Sequence, residues 1–502
     1  MPKFYLEAIE HARVYDVAIE TPLELAPKLS ARLSNEVLIK REDLQTVFSF
    51  KLRGAYNKIA NLSPSEREKG VICASAGNHA QGVALSAKKL AIRATIVMPR
   101  TTPDIKIKAV ESYGANVVLA GDSYSDASAH ANTLQTQTGM TYIHPYDDPL
   151  VIAGQGTIAA EMLRQAPSDL DYVFVPIGGG GLIAGIATYL KHITPNTRII
   201  GVEPNDSAAM HDSIKAGKRI TLEQVGIFAD GVAVKYVGKE TFRLVQQFVD
   251  DIILVDTDEI CAAIKDIYDE DRSVVEPAGA LAIAGMKKYI RQHQLRGNVI
   301  ACINSGANMN FDRLRHVAER AEMGERREAL FAVTIGEKPG SFLTFCKLLG
   351  DRAITEFNYR LSSREQAHVF VGIGIRCDAD RQDVLNLLQS HNYAVLDLMD
   401  NEAAKLHTRH MVGGKSAMVH DEKLYRFEFP ERPAALLDFL THIAGRWNIS
   451  LFHYRNHGAA FGRVLVGVEV PEDDQQDFEG FLQSLGYTWI NESDNPALKL
   501  FL

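Results

Sequence analysis

Between about residues 70 and 312, short runs of consecutive apolar residues alternate with stretches whose apolar positions recur every three to four residues. Val71-Ile72-Cys73-Ala74 predicts a strand, and Ala80, Val83, Ala84 and Ala87 predict a helix behind it. Ala94 to Met98 predicts the next strand, closed by Pro99. A helix is expected to begin near Pro103, since proline suits a first helical turn. Further strands are predicted at Asn116 to Ala120, Tyr172 to Pro176, Arg198 to Val202, Ile252 to Val255 and Asn298 to Ile303. Strands that are apolar on both faces, with helices between them, imply a parallel sheet in an α/β fold.

Val173 to Leu190 runs eighteen residues without a charge, long enough to suggest a membrane span. It contains Pro176 and five glycines, four of them consecutive, which would leave a spanning helix poorly specified. The stretch therefore predicts a buried strand, a glycine turn and a buried helix, and no membrane partner.

Near residue 313 the character changes, and seven of the ten residues from Glu319 to Glu328 are charged, in both signs. Beyond them the chain repeats itself. Glu337-Lys338-Pro339-Gly340-Ser341-Phe342-Leu343 is echoed by Glu431-Arg432-Pro433-Ala434-Ala435-Leu436-Leu437, and Ile354 to Arg360 by Ile449 to Arg455. Each unit has a leading strand (Phe331 to Ile335; Tyr425 to Phe429), a later one (His368 to Ile375; Arg463 to Val470) and a second helical stretch, the βαββαβ order of a ferredoxin-like layout. The pattern divides the chain into a domain over 1–318 built of two α/β subdomains, a charged connector over 319–328, a first repeat over 329–401, a linker over 402–423 and a second repeat over 424–494.

The length of 502 residues asks for several domains, and 46% hydrophobic with 23% charged residues is ordinary globular composition. A net charge of -9 argues against nucleic acid as a partner. Five cysteines without a Cys-x-x-Cys pair point away from zinc ribbons and a disulfide framework, which suits a reducing cytoplasm. Glu7, Glu10 and Asp16 stand where a signal peptide would need an apolar core, so no targeting segment is expected.

Candidate chemistry starts at Lys51, flanked by Phe50 and Leu52 in Ser49-Phe50-Lys51-Leu52-Arg53-Gly54-Ala55. Burial disfavours an ammonium, so such a lysine offers a free amine able to form a Schiff base with a carbonyl such as that of pyridoxal phosphate. Taken alone, a solvated lysine is the commoner reading. Gly178-Gly179-Gly180-Gly181-Leu182 follows a strand and opens a helix, where exposed backbone N–H groups and the helix dipole suit a phosphate. The same segment satisfies a loose dinucleotide fingerprint as Gly179-x-Gly181-x-x-Ala184, with Glu203 at ribose distance, which keeps a nicotinamide oxidoreductase open. Ser75-Ala76-Gly77-Asn78-His79 leaves amides free for a carboxylate, with Ser75 as a candidate helix cap and His79 more often a packed histidine. Asn304-Ser305-Gly306-Ala307-Asn308 follows the last strand, and ligands in such sheets sit beyond the strands' carboxyl ends.

Taken together, the Lys51 segment, Ser75 to Gly82, the tetraglycine with Leu182, and Ser305-Gly306-Ala307-Asn308 resemble the threonine dehydratase family, in the tryptophan-synthase-β-like (fold type II) group of pyridoxal phosphate enzymes. The repeated half resembles the two ACT-like regulatory domains of the long, biosynthetic form. The resemblance implies that Lys51 anchors pyridoxal 5'-phosphate and then takes the substrate's Cα proton. It further implies that Asn78 contacts the ring hydroxyl, that Gly178, Gly179, Gly180, Gly181 and Leu182 hold the phosphate, and that Ser305 faces the pyridine nitrogen. Ser75, Ala76, Gly77, Asn78 and His79 are implied for the substrate carboxylate. The implied reaction converts L-threonine to 2-oxobutanoate and ammonia, and L-serine to pyruvate. Isoleucine is the implied inhibitor and valine its opponent, with Tyr359 and Tyr454 at the effector positions, in a cytoplasmic homotetramer. Some relatives carry a divalent cation on an acid six residues beyond the glutamate of a Gly-Val-Glu-Pro segment. Here Glu203 is followed at that distance by Ala209, so no metal is expected. A catabolic serine/threonine dehydratase and a non-catalytic amino-acid-binding protein are the remaining alternatives. The long repeat speaks against the first, and Lys51, Asn78 and Ser305 against the second.

Overall fold

The computed structural model describes residues 2–226, 228–412, 414, 416–430, 435–443, 446–455, 461–496 and 498. The chain forms two compact units, Met1–Gly324 and Glu325–Leu502.

The first unit holds two sheets. The larger has six strands in the order Leu23–Leu25, Glu36–Arg41, Val299–Asn304, Tyr172–Pro176, Arg198–Pro204 and Asp251–Val255. All neighbours are parallel except the edge strand Leu23–Leu25. The smaller sheet is wholly parallel, in the order Asn116–Leu119, Ala94–Met98, Val71–Ala74 and Thr141–Tyr142. Its Val71–Ala74 and Ala94–Met98 strands are buried at every position, as two-sided helical cover requires. The uncharged stretch resolves into the strand Tyr172–Pro176 and the helix Gly181–Ile193.

Helix Lys51–Ala60 lies against helices Asn78–Lys89 and Pro149–Gln165. Glycine makes both approaches close: a Cβ on Gly82 would stand 3.0 Å from Leu52 N, and one on Gly154 2.7 Å from the Arg53 carbonyl. Beneath this helix Arg53 bridges two wholly buried carboxylates, Glu42 through Nε at 2.8 Å and Glu161 through Nη1 at 2.6 Å. Lys40, equally buried, donates to Glu161 at 2.6 Å.

The structure sharpens the sequence reading at one place and departs from it at two. Pro103 is the N-cap residue, and the helix starts one residue later, at Asp104. Ser75 does not cap the helix behind it. Its hydroxyl accepts from Gly77 N at 3.3 Å in a local turn, and Gly77 is the N-cap residue. The charged stretch over 319–328 is not one connector, because a helix runs from Arg313 to Gly324 and a strand opens at Glu328. Arg320 is buried against Asp258 at 2.8 Å, and a Cβ on Gly324 would overlap the Asp258 carbonyl, so the helix belongs to the first unit.

In the second unit each repeat completes βαββαβ. The first runs Glu328–Gly336, Ser341–Leu349, Ile354–Arg360, Gln366–Gly374, Asp378–Ser390 and Ala394–Asp397. The second runs Glu422–Pro430, Ala435–Ile443, Asn448–Arg455, Phe461–Glu469, Gln475–Ser484 and Thr488–Asn491. Glu431, Arg432, Pro433 and Ala434 of the echoed motif lie outside the described residues. The repeats merge into one eight-stranded sheet through antiparallel pairing of Ile354–Arg360 with Asn448–Arg455. Phe357 faces Tyr454 and Tyr359 faces Phe452, so repeat-equivalent residues exchange places as about a local two-fold axis.

Candidate active site

The loops after Ala74, Pro176 and Asn304 converge on one cavity of about 760 Å³ that also takes in Lys51. These are carboxyl ends of parallel strands, where α/β sheets leave crevices for ligands. Lys51 is brought there by its loop. Phe50 N donates to the Ser305 carbonyl at 3.3 Å, Ala307 N donates to the Phe48 carbonyl at 2.8 Å, and Ser49 bridges Gly306. The lysine and serine loops are thereby one stitched unit, although 254 residues separate them in sequence.

Lys51 opens helix Lys51–Ala60, its exposure only intermediate, its Nζ 3.3 Å from the Pro145 carbonyl and 5.2 Å from the centre of the Phe50 ring. Desolvation lowers its pKa to about 8, against a smaller opposing pull from Glu276. The amine is therefore available as a nucleophile over the neutral to mildly basic range.

The glycine turn lines the same cavity. Gly180 has φ of 92°, which favours glycine, and it is the N-cap residue of helix Gly181–Ile193. The turn is packed so closely that side chains have no room: a Cβ on Gly179 would stand 2.2 Å from the Tyr146 ring, and one on Gly178 3.0 Å from Val232 Cα. Backbone amides, a helix N-terminus and no side chains make a cradle for an anion. With an amine in the same cavity, the donor set fits a cofactor that carries both an aldehyde and a phosphate.

Asn78 and Ser305 line the same cavity. Asn78 Nδ2 donates to Glu276 Oε1 at 2.6 Å, and Asn308 Nδ2 donates to Asn78 Oδ1 at 2.7 Å. The Ser305 hydroxyl donates to the Ala278 carbonyl at 3.1 Å and brings no charge. Ser75, Ala76 and Gly77 line the cavity too, and a Cβ on Gly77 would meet open space. His79 is buried with Nε2 2.8 Å from the Ile143 carbonyl, and desolvation lowers its pKa to about 3, so the ring is neutral. Its side chain is thus committed to packing, and what it offers the loop is backbone.

Glu276 went unread in the sequence. It is the N-cap residue of the apolar helix Pro277–His293, and its pKa is raised to about 7 by burial and by Asp230. The available signal was a lone acid directly before a proline and a long apolar helix. Tyr146, which walls the glycine turn, carried no signal of its own.

Glu203, the acid the dinucleotide reading needs, does not line the cavity. Its carboxylate accepts from Met210 N at 2.9 Å and His211 N at 2.7 Å, and Ala209 beside it is buried. Among the described residues no group of three or more His, Cys, Asp or Glu stands in a metal-holding arrangement, and no helix is long and apolar enough to cross a membrane.

In the second unit Tyr359 is buried and its hydroxyl donates to Glu337. Asn448 of the other repeat donates to the same carboxylate at 3.3 Å, so the contact joins the repeats. Tyr454 sits at the mirrored position and is largely buried. A crevice of about 10 Å³, roughly one water's space, lies beside Asn448, Trp447 and Lys338.

Compared with known families, residues 14–306 match the family described as pyridoxal-phosphate dependent enzyme. Residues 319–408 and 413–502 match the C-terminal regulatory domain of threonine dehydratase. The chain is 56% identical over 501 residues to an L-threonine dehydratase, biosynthetic IlvA, of Burkholderia multivorans, covering 99% of each. It is 53% identical over 499 residues to the protein of that name from Escherichia coli, covering 99% of this chain and 97% of that one. The solved structure of the processed form of threonine deaminase isoform 2 from Solanum lycopersicum superposes with a TM-score of 0.63 at 55% identity, covering 64% of this chain and 93% of that one.

Proposed function

From the premise that this chain belongs to the pyridoxal-phosphate-dependent biosynthetic threonine dehydratases, a lyase with regulatory C-terminal domains, we propose that it converts L-threonine to 2-oxobutanoate and ammonia under isoleucine inhibition, with valine opposing. The observation that carries the reading is the meeting of Lys51, the bare glycine turn, Asn78 and Ser305 in one cavity.

When bound, the cofactor supplies an electron sink that acidifies the substrate's Cα–H. The residues do the rest. Lys51 would hold the cofactor through its Nζ, and once released it is placed to act on the substrate's Cα–H. Its Nζ, with a pKa near 8, then takes the Cα proton. The amides of Gly178 to Gly181, at the start of helix Gly181–Ile193, hold the phosphate. Ser305 would stand at the ring nitrogen with an uncharged hydroxyl, free to donate there once it turns from the Ala278 carbonyl or to accept while it stays; bringing no carboxylate, it would not enforce the nitrogen's protonation, which favours elimination over reactions that need a long-lived ring carbanion. The amides of Ser75, Ala76, Gly77, Asn78 and His79 orient the substrate carboxylate. Overall the Cα proton and the β-hydroxyl leave together as one water, and one water is taken up as the nitrogen departs as ammonia, leaving the oxoacid. L-serine gives pyruvate by the same steps.

The Tyr359–Glu337–Asn448 contact across the repeats supports effector binding there, and the small crevice means a branched side chain must open it. A homotetramer in the cytoplasm belongs to the same reading, and light scattering of the purified protein tests the assembly. The main test is a 2-oxobutanoate assay with threonine, with and without isoleucine, on wild type and Lys51→Ala. Turnover by the variant at the wild-type rate contradicts the mechanism, and an isoleucine-insensitive wild type contradicts the regulation.

A further inference from the structure

Asn78 is held from both ends, and its neighbours decide which end is which. Asn308 Nδ2 donates to the Val47 carbonyl at 2.8 Å, and a carbonyl can only accept. That group of Asn308 is therefore the amide nitrogen, so the atom of Asn78 that it meets at 2.7 Å is the oxygen. The Asn78 nitrogen must then face Glu276, whose Oε1 accepts from it at 2.6 Å. An amide nitrogen has two hydrogens. One goes to Glu276, and the other is left to the cavity that Asn78 lines.

We propose that Glu276 is a positioning residue: by accepting one Nδ2 hydrogen it fixes the Asn78 amide so that a donor, not the carbonyl oxygen, is presented to the cofactor's ring oxygen. The inference rests on the reading of Asn78 as the ring-oxygen contact. A flipped amide would set two donors against each other at Asn308 Nδ2 and turn the Asn78 oxygen to Glu276, where the ionised carboxylate can only accept.

The carboxyl has a built seat. A Cβ on Gly306 would stand 2.7 Å from Glu276 Oε1, and one on Gly231 3.5 Å from it, so two bare backbones leave the notch it fills. Glu276 N donates to the Gly306 carbonyl at 3.2 Å, which ties the seat to the Ser305 loop. The charged groups that act on it are Asp230, Lys106 and Lys51. With its pKa near 7, a large share is the uncharged acid at neutral pH. An acceptor that need not be charged is what the role requires, so glutamine should serve.

The test uses full-chain holoenzyme as wild type, Glu276→Gln, Glu276→Ala and Asn308→Ala. The readouts are the pH midpoint of the bound cofactor's absorbance change and the separate kcat and KM for threonine. Losing the orienting bond in Glu276→Ala or Asn308→Ala should move the midpoint by about 0.7 pH unit, the equivalent of one hydrogen bond. It should also lower kcat by about tenfold with a smaller effect on KM. Glu276→Gln should keep the wild-type midpoint. A purely structural role would lower cofactor content and leave the midpoint alone, which overturns the proposal. A Glu276→Gln midpoint as displaced as that of Glu276→Ala also overturns it, since charge would then be the active property. Should Glu276→Ala not accumulate folded, Asn308→Ala decides by the same criterion. If wild type shows no lysine–cofactor band at all, it is the Lys51 reading that has failed.

Discussion

Replacing Arg53 with leucine should strike the catalytic unit two residues from its lysine. Arg53, Lys40, Glu42 and Glu161 form a buried quartet of zero net charge, every side chain without solvent exposure. Arg53 alone gives Nε and Nη2 to Glu42 at 2.8 Å each, and Nη1 and Nη2 to Glu161 at 2.6 and 2.9 Å. Without it the quartet carries one uncompensated negative charge. Glu161 keeps Lys40 at 2.6 Å and the Tyr15 hydroxyl at 2.8 Å. Glu42 keeps hydrogen bonds from the neutral Thr21 hydroxyl at 2.6 Å and the Gln45 amide at 3.2 Å, while Lys40, bonded to Glu161, acts on it only through its charge, so the stranded charge falls mainly on Glu42. Removing one partner of a buried pair costs about 3–5 kcal/mol. Adding Glu42→Gln to Arg53→Leu cancels the stranded charge and should restore a large part of that loss, with a coupling of roughly 1–3 kcal/mol.

The pH dependence separates the two states of Glu42. In the wild type desolvation is the largest single influence and raises its pKa, but Arg53, with Lys40 and Thr21, together bring it below the ordinary value, so its contribution is present above the ordinary carboxylate range and is lost on acidification. In Arg53→Leu desolvation prevails and raises the pKa, so stability falls as pH rises from the ordinary glutamate value of about 4.3. Urea unfolding followed by cofactor fluorescence, a signal confined to the catalytic unit, measures both effects. Equal losses in the single and double variants, or slopes of the same sign, would refute the reasoning.

Gly179→Ala should weaken cofactor binding by about tenfold or more in a fluorescence titration, because its Cβ lands 2.2 Å from the Tyr146 ring and misaligns the phosphate amides. In the cofactor-free protein, labelling of Lys51 by an amine reagent should rise with a midpoint of about 8, while solvated lysines rise near ~10.4. Burial of the charged form makes the same group destabilising at neutral pH in that protein, a penalty relieved as pH rises from about 8 towards the unfolded value. Deleting the chain after Gly324 should keep turnover and abolish isoleucine inhibition, and a truncated enzyme that stays inhibited would place the effector site elsewhere.

The elements legible in the sequence were those whose environment is uniform along the chain. Val71–Ala74, Ala94–Met98 and Tyr172–Pro176 read as strands because both faces are apolar. Glu36–Arg41 escaped notice because it ends in Lys40 and Arg41, which look solvated until their distant partners, Glu161 and Asp271, are known. The division into two sheets depends on pairings such as Val299–Asn304 with Glu36–Arg41, which no local pattern encodes. Lys51, the glycine turn, Asn78 and Ser305, which line one cavity, stood out in the sequence because their short motifs together carry the family resemblance, although none was decisive alone. Glu276 was not, since an acid before a helical proline reads as an ordinary cap until Asn78 is found against it. The charged helix ending at Gly324 read as connector for the same reason: Asp258, the partner that buries Arg320, is remote.

The central claim is that Lys51 carries the cofactor, and the most direct measurement is reduction of the holoenzyme with borohydride, digestion and mass spectrometry of the modified peptide. The account predicts the cofactor's mass on Lys51. Lys106 lines the same cavity but is paired with Asp230 at 3.0 Å. The label on Lys106, or on any lysine other than Lys51, would contradict it.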